Sequence, residues 1–317
     1  MLTRRVALAL LLPSAALAQD SFAGFLYGVR AEALRSGISA STVDRALAAL
    51  RPNDKVLELD RRQPEFTMTW ERYRETRLTD QRIAQGRAAW AQNRRLLEAV
   101  QGAFGVGPQV ILGVWGLESN YGSYTGGFNV VEALATLAWD GRRASFFRPE
   151  LISALRILDH GDVAFPRMLG SYAGAMGQPQ FMPSSFLRYA VDFDGDGRRD
   201  IWDDRADVLA SIANYLKRSG WRAGEPWGEA VRLPAGFNSF ETGRENRREL
   251  ADWARLGVRR ADGGPLPRWE LPAAVILPDG PEGDAYLAYP NFSVIRRYNP
   301  SDFYALSVGM LGDLVVA

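Results

Sequence analysis

Apolar residues recur at helical spacing over most of the chain. Residues 22–50 read as two short helices, with N-cap candidates at Ser39 to Thr42 ahead of Val43, Ala46, Leu47 and Leu50. Residues 65–101 read as helix, offering Trp70, Tyr73, Ile83, Trp90, Leu97 and Val100 to a core. Gly102 to Gly107 interrupts that pattern, and Pro108 opens another helix in the first-turn position where proline is tolerated. Along it Ile111, Trp115 and Glu118 fall at i, i+4 and i+7 on one face, and Asn120 and Gly122 mark its end. Helical patterns return at 129–139, 146–159, 184–191 and 206–219, the last with Val208, Ile212, Tyr215 and Leu216 on one side. After Gly220 the texture changes. Prolines and glycines become dense, and short apolar runs such as Ala273 to Leu277 and Ala285 to Tyr289 point to a small β-containing module near 226–290, with one helix near 241–256 inside it. Tyr304 to Val316 again reads as helix. The fold class expected is mainly α (α+β).

The first 18 residues change the count of what folds. Arg4 and Arg5 precede an apolar run from Val6 to Leu12, and Ala16-Leu17-Ala18 puts small residues where a signal peptidase reads, so cleavage after Ala18 and export to the periplasm are expected. The run is short for a membrane span. Thr3-Arg4-Arg5 leaves the general secretory and twin-arginine routes both open. Removing 18 of the 317 residues leaves 317 − 18 = 299, and loss of two arginines takes the formal charge from +1 to +1 − 2 = −1. That balance argues against a nucleic-acid partner. With no cysteine in the chain, neither a disulfide nor a lipid-modified new N-terminus is expected. His160 is the single histidine, so a zinc site or a Ser-His-Asp triad is not expected. His160 itself reads as a helix-end residue meeting the dipole favourably. Chemistry must rest on carboxylates, hydroxyls, amides or a hard metal.

Three motifs carry candidate chemistry. Glu118 ends an apolar helix face beside Trp115 and Leu117; such surroundings disfavour the ionised carboxyl and suit a general acid near neutral pH. Taken alone, Glu118-Ser119-Asn120-Tyr121-Gly122 reads better as a solvated helix end. The string from Ser171 to Ser185, SYAGAMGQPQFMPSS, changes that weighting. Its small residues let backbone approach a ligand, Gln180 offers donor and acceptor, Tyr172 and Phe181 offer faces for sugar rings, and Ser184 or Ser185 can cap the next helix. A tightly packed helix–helix contact is the plainer alternative. Third, Asp192, Asp194 and Asp196 stand at positions one, three and five of an EF-hand-like loop with Gly197 at six. The Arg198 carbonyl would supply position seven. Asp203 at position twelve is shorter than the usual glutamate, and Asp207 at the next helix start is the other closing ligand. Three aspartates so spaced favour a Ca²⁺ ion over a bare acidic turn, with sodium or potassium left open.

Together the motifs resemble the soluble B-type lytic murein transglycosylases. The resemblance runs through Trp115-Gly116-Leu117-Glu118-Ser119, Ala173 to Gly177 with Gln180 to Ser185, the Asp192 loop, Ala213 to Leu216 and Arg297 to Ser301, from about residue 22 to the end. Gln178-Pro179 and Pro300 depart from the usual pattern. The resemblance implies a lysozyme-like core at 106–206 completed by 291–304, a helical domain at 19–105 joined by 207–225 and 305–317, and the β module at 226–290. It implies cleavage of the MurNAc-β-1,4-GlcNAc bond of peptidoglycan glycan strands by a monomer, with Glu118 as acid/base, an attacking C6 hydroxyl and a 1,6-anhydromuramoyl product. Ser171, Gln180, Phe181, Tyr215, Tyr298, Asn299 and Tyr304 would line the saccharide cleft, with Tyr73 and Arg143 as further carry-overs. Calcium would be structural. Two other readings stand beside it. A lysozyme-type hydrolase would need a second carboxylate, for which Asp140 or Glu132 are the candidates, and a non-catalytic wall-binding protein would keep the cleft alone.

Overall fold

The computed structural model describes residues 21–62 and 68–317; the proposed signal segment, 1–18, lies outside them. The N-terminal part forms α1 (Phe22–Arg35), α2 (Ala40–Leu47) and α3 (Asp54–Arg61), followed by α4 (Trp70–Arg77) and α5 (Asp80–Phe104). Ser39 caps α2 as expected, its side chain accepting from the Thr42 N–H. The helix anticipated over 65–101 is two helices. Thr79 takes up an extended conformation and accepts from the Arg82 N–H, an N-cap that ends the preceding helix and starts the next. Gly105, in the left-handed conformation, closes α5, and Pro108 begins α6 (Pro108–Ser119).

Strand β1 (Phe128–Asn129) pairs with β2 (Leu169–Gly170) around α7 (Val130–Asp140) and α8 (Ala144–His160). Then come α9 (Pro183–Tyr189) and α10 (Arg205–Arg218). Ser184 does not cap α9. Met182 occupies that position, and the buried Glu150 of α8 receives both the Ser184 N–H (2.8 Å) and hydroxyl (2.6 Å) instead. The module after Gly220 holds β3 (Gly228–Arg232), β4 (Arg248–Glu249), α11 (Leu250–Arg255), β5 (Arg259–Arg260), β6 (Pro272–Ile276) and β7 (Ala285–Ala288). Its antiparallel sheet has the order β4-β6-β7-β3-β5. The helix expected near 241–256 is confined to α11, because Gly243 and the 3₁₀ turn at Ser239–Glu241 break the earlier part. Helices α12 (Pro290–Tyr298) and α13 (Asp302–Val316) complete the chain.

Burial sorts these elements into three clusters. α5, α6, α10, α12 and α13 build the first, around Leu97, Ile111, Leu112, Ile212, Ile295 and Leu306. α1, α2, α7, α8 and α9 build the second, around Val29, Val43, Leu134, Phe147, Leu155 and Phe186. The helices of 22–61 and those of 70–104 therefore bury their apolar faces in different places. The third cluster lies in the β module under Trp253. Strands β6 and β7 serve two clusters by their period of two: Ala274, Ile276, Tyr286 and Ala288 face the first, while Ala273, Val275, Ala285 and Leu287 face the third. Burial on both faces explains why these strands read as continuous apolar runs. α6 and α13 cross closely. A Cβ at Gly113 would lie 2.1 Å from the Val308 carbonyl oxygen, and one at Gly312 would lie 2.2 Å from that of Gln109.

Candidate active site

Glu118 stands in the last turn of α6, and the backbone beyond it is unusual. Asn120, Tyr121 and Gly122 all have positive φ, at 49°, 58° and 84°. For two side chains other than glycine this costs free energy that the surroundings must offset. Ser119 does part of that: its buried hydroxyl donates to the Trp115 carbonyl and accepts the Gly122 N–H. The Tyr121 ring packs edge-on against Trp115 at 5.7 Å between centroids. The turn stops α6 abruptly and leaves the Glu118 carboxyl at the rim of a cavity.

The carboxyl is half-buried. Its Oε1 accepts the Tyr304 hydroxyl at 2.6 Å, a bond joining α6 to α13 across 186 positions of sequence. Burial pushes Glu118 up to about 7, against the opposing effects of the Tyr304 hydrogen bond and the positive charge of Arg77. Tyr304, itself buried beside this acid, is held far above its ordinary range and remains a donor. The cavity, about 390 Å³, is walled by Arg77, Gln81, Arg82, Gln85, Asn120 and Tyr124. Glu118 is the only carboxylate among its lining residues. The two alternatives weighed as a second acid are engaged elsewhere: Asp140 pairs with Arg61 at 2.9 Å, and Glu132 accepts the Asn53 amide at 2.7 Å.

The Ser171 string is neither helix nor helix contact. It folds into a compact reverse structure in which Met176 and Phe181 exchange backbone hydrogen bonds and Ser171 N–H reaches the Ala175 carbonyl. Gly177, at φ 61°, lies where a Cβ would come within 2.6 Å of the Ile201 carbonyl oxygen, so its smallness serves protein backbone. The Ser171 hydroxyl accepts the Ala173 and Ala175 N–H groups. Gln180 donates to the carbonyls of Thr125 (3.1 Å) and Gly177 (2.8 Å). Phe181, expected to offer a face to sugar, is 2% exposed. It is covered by Tyr215 and Tyr298, whose rings lie 4.6 Å apart and each 5.8 Å from its own. Tyr298 donates to the Pro179 carbonyl at 2.7 Å and packs against both large clusters, so the aromatic group sits on their seam.

The remaining expected residues divide. Tyr73 lies under the Arg77 guanidinium at 5.1 Å and beside Phe303, the neighbour of Tyr304. Asn299 is exposed at the end of α12. Arg143 is not brought to this group: it lies 3.7 Å from Asp60 and over the rings of Phe146 and Phe147. Sequence reading passed over Gln178 except as a departure. Yet this buried amide accepts the Trp115 indole N–H at 2.9 Å and donates to the Trp202 carbonyl at 2.7 Å. It ties α6, the 171–181 string and the aspartate loop together. Arg77 and Arg82 reach the cavity only because α4 and α5 are separate helices, a break whose one local signal is the Thr79-Asp80 N-cap.

In the aspartate loop, ligand oxygens of Asp192, Asp194 and Asp196 lie within 4.8 Å of one another. Asp192 also accepts the N–H groups of Gly195, Asp196 and Gly197. Asp207 stands apart from the three: its buried carboxylate takes the Phe193 and Asp200 N–H groups, each at 2.7 Å, and so clamps the two ends of the loop. Asp203 turns outward to Arg167.

The chain is 32% identical over 296 residues to membrane-bound lytic murein transglycosylase B of Escherichia coli (strain K12), covering 89% of this chain and 79% of that protein. SltB3 from Pseudomonas aeruginosa, solved in complex with NAG-anhNAM-pentapeptide, superposes with a TM-score of 0.91 at 48% identity, over 94% of this chain and 80% of that one. The Escherichia coli lytic transglycosylase Slt35, solved in complex with calcium, gives a TM-score of 0.78 at 32% identity, over 92% of each chain. The profile of the transglycosylase SLT domain matches residues 21–313. By sequence and by fold, the chain belongs to the transglycosylase SLT family, the lytic transglycosylases of peptidoglycan.

Proposed function

We propose that Glu118 is the single acid/base with which this chain cleaves the MurNAc-β-1,4-GlcNAc bond. The observation that supports this most is the carboxyl at the cavity rim, raised to about 7 and hydrogen-bonded by Tyr304. In its protonated form Glu118 gives its proton to the glycosidic oxygen as the bond from C1 breaks. The electron pair leaves with the GlcNAc oxygen, and the substrate N-acetyl group supports the cation-like C1. The carboxylate then takes the proton of the muramoyl C6 hydroxyl as that oxygen bonds to C1. No water enters, and a 1,6-anhydromuramoyl end results. Many glycosidases use two carboxylates flanking the bond; a cavity lined by one acid favours the intramolecular route over hydrolysis. The anhydro sugar seen in complex with SltB3 is a product of this class. Tyr73, Tyr298, Tyr304 and Asn299 are assigned to the saccharide cleft, with Ser171, Gln180, Phe181 and Tyr215 supporting its wall.

A calcium ion fits the aspartate loop because three carboxylates converge there. Asp192, Asp194, Asp196 and the Arg198 carbonyl would hold it, Asp207 fixing the loop behind. Bound calcium supplies charge neutralisation and no chemistry. We assign export to the periplasm as a monomer, with the β-containing module of 226–290 packed through β6 and β7 on the first cluster. The experiment is mass spectrometry of muropeptides released from purified sacculi by the mature protein. Fragments lighter by one water than lysozyme products and lacking reducing ends are expected. Reducing ends would make the enzyme a hydrolase, and no release would leave a binding protein.

A further inference from the structure

A second groove, about 570 Å³, lies between the end of α5, the start of α6, the 221–228 segment and α13. It shares no lining residue with the Glu118 cavity. Gln109 belongs to the first turn of α6 and Glu118 to the last, about 13 Å apart along the axis. Three of the nine tryptophans line this groove: Trp221, Trp227 and Trp269. Trp227 is buried and donates its indole N–H to Asp313 at 2.9 Å. Trp269 is 51% exposed and lies beside the Tyr289 ring. Neither Trp221 nor Trp269 has an indole hydrogen bond among the described residues. A buried oxygen of Glu225, Oε2, likewise lacks a hydrogen bond and lies 3.5 Å from Arg222.

The segment that carries these groups is held rigidly. Fully buried Asn291 accepts the Arg222 N–H and donates to the carbonyls of Arg222 and Glu225, at 2.9, 2.9 and 2.8 Å. Loop polar groups fixed by a buried amide are preorganised for a ligand. The faces of Trp221 and Trp269, set beside Glu225 and the Gln101 and Gln109 amides over the buried Trp227, suit a saccharide, which presents apolar C–H faces edged by hydroxyls. They do not suit nucleic acid, since Glu225 and Asp313 would repel phosphates. Trp269 also borders an adjoining pocket lined by Arg255, Arg259, Arg268 and Glu270; Arg255 pairs with Asp252, while Arg259 and Arg268 make no ion pair among the described residues.

We propose that the Trp221–Trp227–Trp269 groove is an accessory site for the glycan strand, with the adjoining arginines taking a carboxylate of its attached peptide. The inference rests on the reading that this chain acts on peptidoglycan. A second grip on the same polymer turns re-engagement of the cleavage site into an intramolecular event.

The test is sedimentation of the full mature protein, as the Glu118→Gln variant, with insoluble sacculi. Adding Trp269→Ala, a substitution at an exposed position, is expected to weaken retention about tenfold, while Tyr27→Ala at another exposed aromatic does not. Enzyme with Glu118 intact and Trp269→Ala should still turn over a soluble tetrasaccharide at the parent rate. On sacculi stripped of stem peptides the Trp269→Ala effect should persist and any Arg268→Gln effect should vanish. Unchanged retention on adding Trp269→Ala would overturn the proposal, as would a change in oligomeric state alone, which would make the groove a contact between copies. Failure of the Glu118 assignment shows separately, as muropeptides released by Glu118→Gln.

Discussion

The Glu118 proton is set by burial acting against the Tyr304 hydrogen bond and the Arg77 charge. Burial favours the neutral acid; the Tyr304 hydroxyl, as a donor, favours the carboxylate. Cleavage that needs the protonated acid should therefore fall as pH rises through about 7. Tyr304→Phe removes the donor that favours the ionised form, so the alkaline limb of the kcat/KM profile should move to higher pH; a shift to lower pH would refute the assignment. Glu118→Gln should fold and lose nearly all turnover. Because the folded-state value is raised, ionisation of Glu118 destabilises the fold, an effect absent below the unfolded value and complete above about 7. The glutamine variant should accordingly be more stable than the parent at pH 8, by on the order of 2 kcal/mol in denaturant unfolding, and no more stable at pH 4. The acid was legible in sequence as a carboxyl ending an apolar helix face. Arg77 was not, since its approach depends on the angle between α4 and α5, which no local pattern encodes.

At the scale of elements, the 171–181 string and the aspartate loop act as one piece fastened by Gln178. Gln178→Leu would leave the buried Trp115 indole N–H unpaired and free the Trp202 carbonyl, at about 1–3 kcal/mol for each group. A denaturant midpoint unchanged in that variant would show that Gln178 is no fastener. Calcium should raise the melting temperature of the parent and not that of Asp194→Asn, with a chelator reversing the rise; indifference to both would remove the metal from the account. Most helices were readable, because signals such as Ser39, Pro108 and Gly105 are local chemistry, but α3 and α12 had no expected counterpart. The conformation of the glycine-rich string was not. Its glycines admit many backbone paths, and the choice among them is made by Ile201 and Leu134, which approach from elsewhere in the chain.

Over the whole molecule, the clusters meet where the site lies. Tyr298 touches both large ones, and α13 delivers Tyr304 to a helix that ends 183 positions earlier, from Ser119 to Asp302. The crossing depends on glycine. Gly312→Leu would drive a side chain into the Gln109 backbone and should destabilise by about 1–3 kcal/mol or more. If the crossing positions Tyr304, cleavage by the fraction that remains folded should acquire the altered pH limb of Tyr304→Phe; a normal limb would separate the two. Such long-range assembly cannot be read from periodicity, which gives the helices but not their partners. It also has a temporal meaning. While the chain is being synthesised or threaded across a membrane unfolded, Glu118 is an ordinary solvated acid, ionised at neutral pH with an intrinsic value near 4.3. Docking of α13 supplies its phenol partner, and the folded surroundings supply the burial that keeps its proton. A proton held at neutral pH is thus a property of the folded chain, present once α13 has met α6.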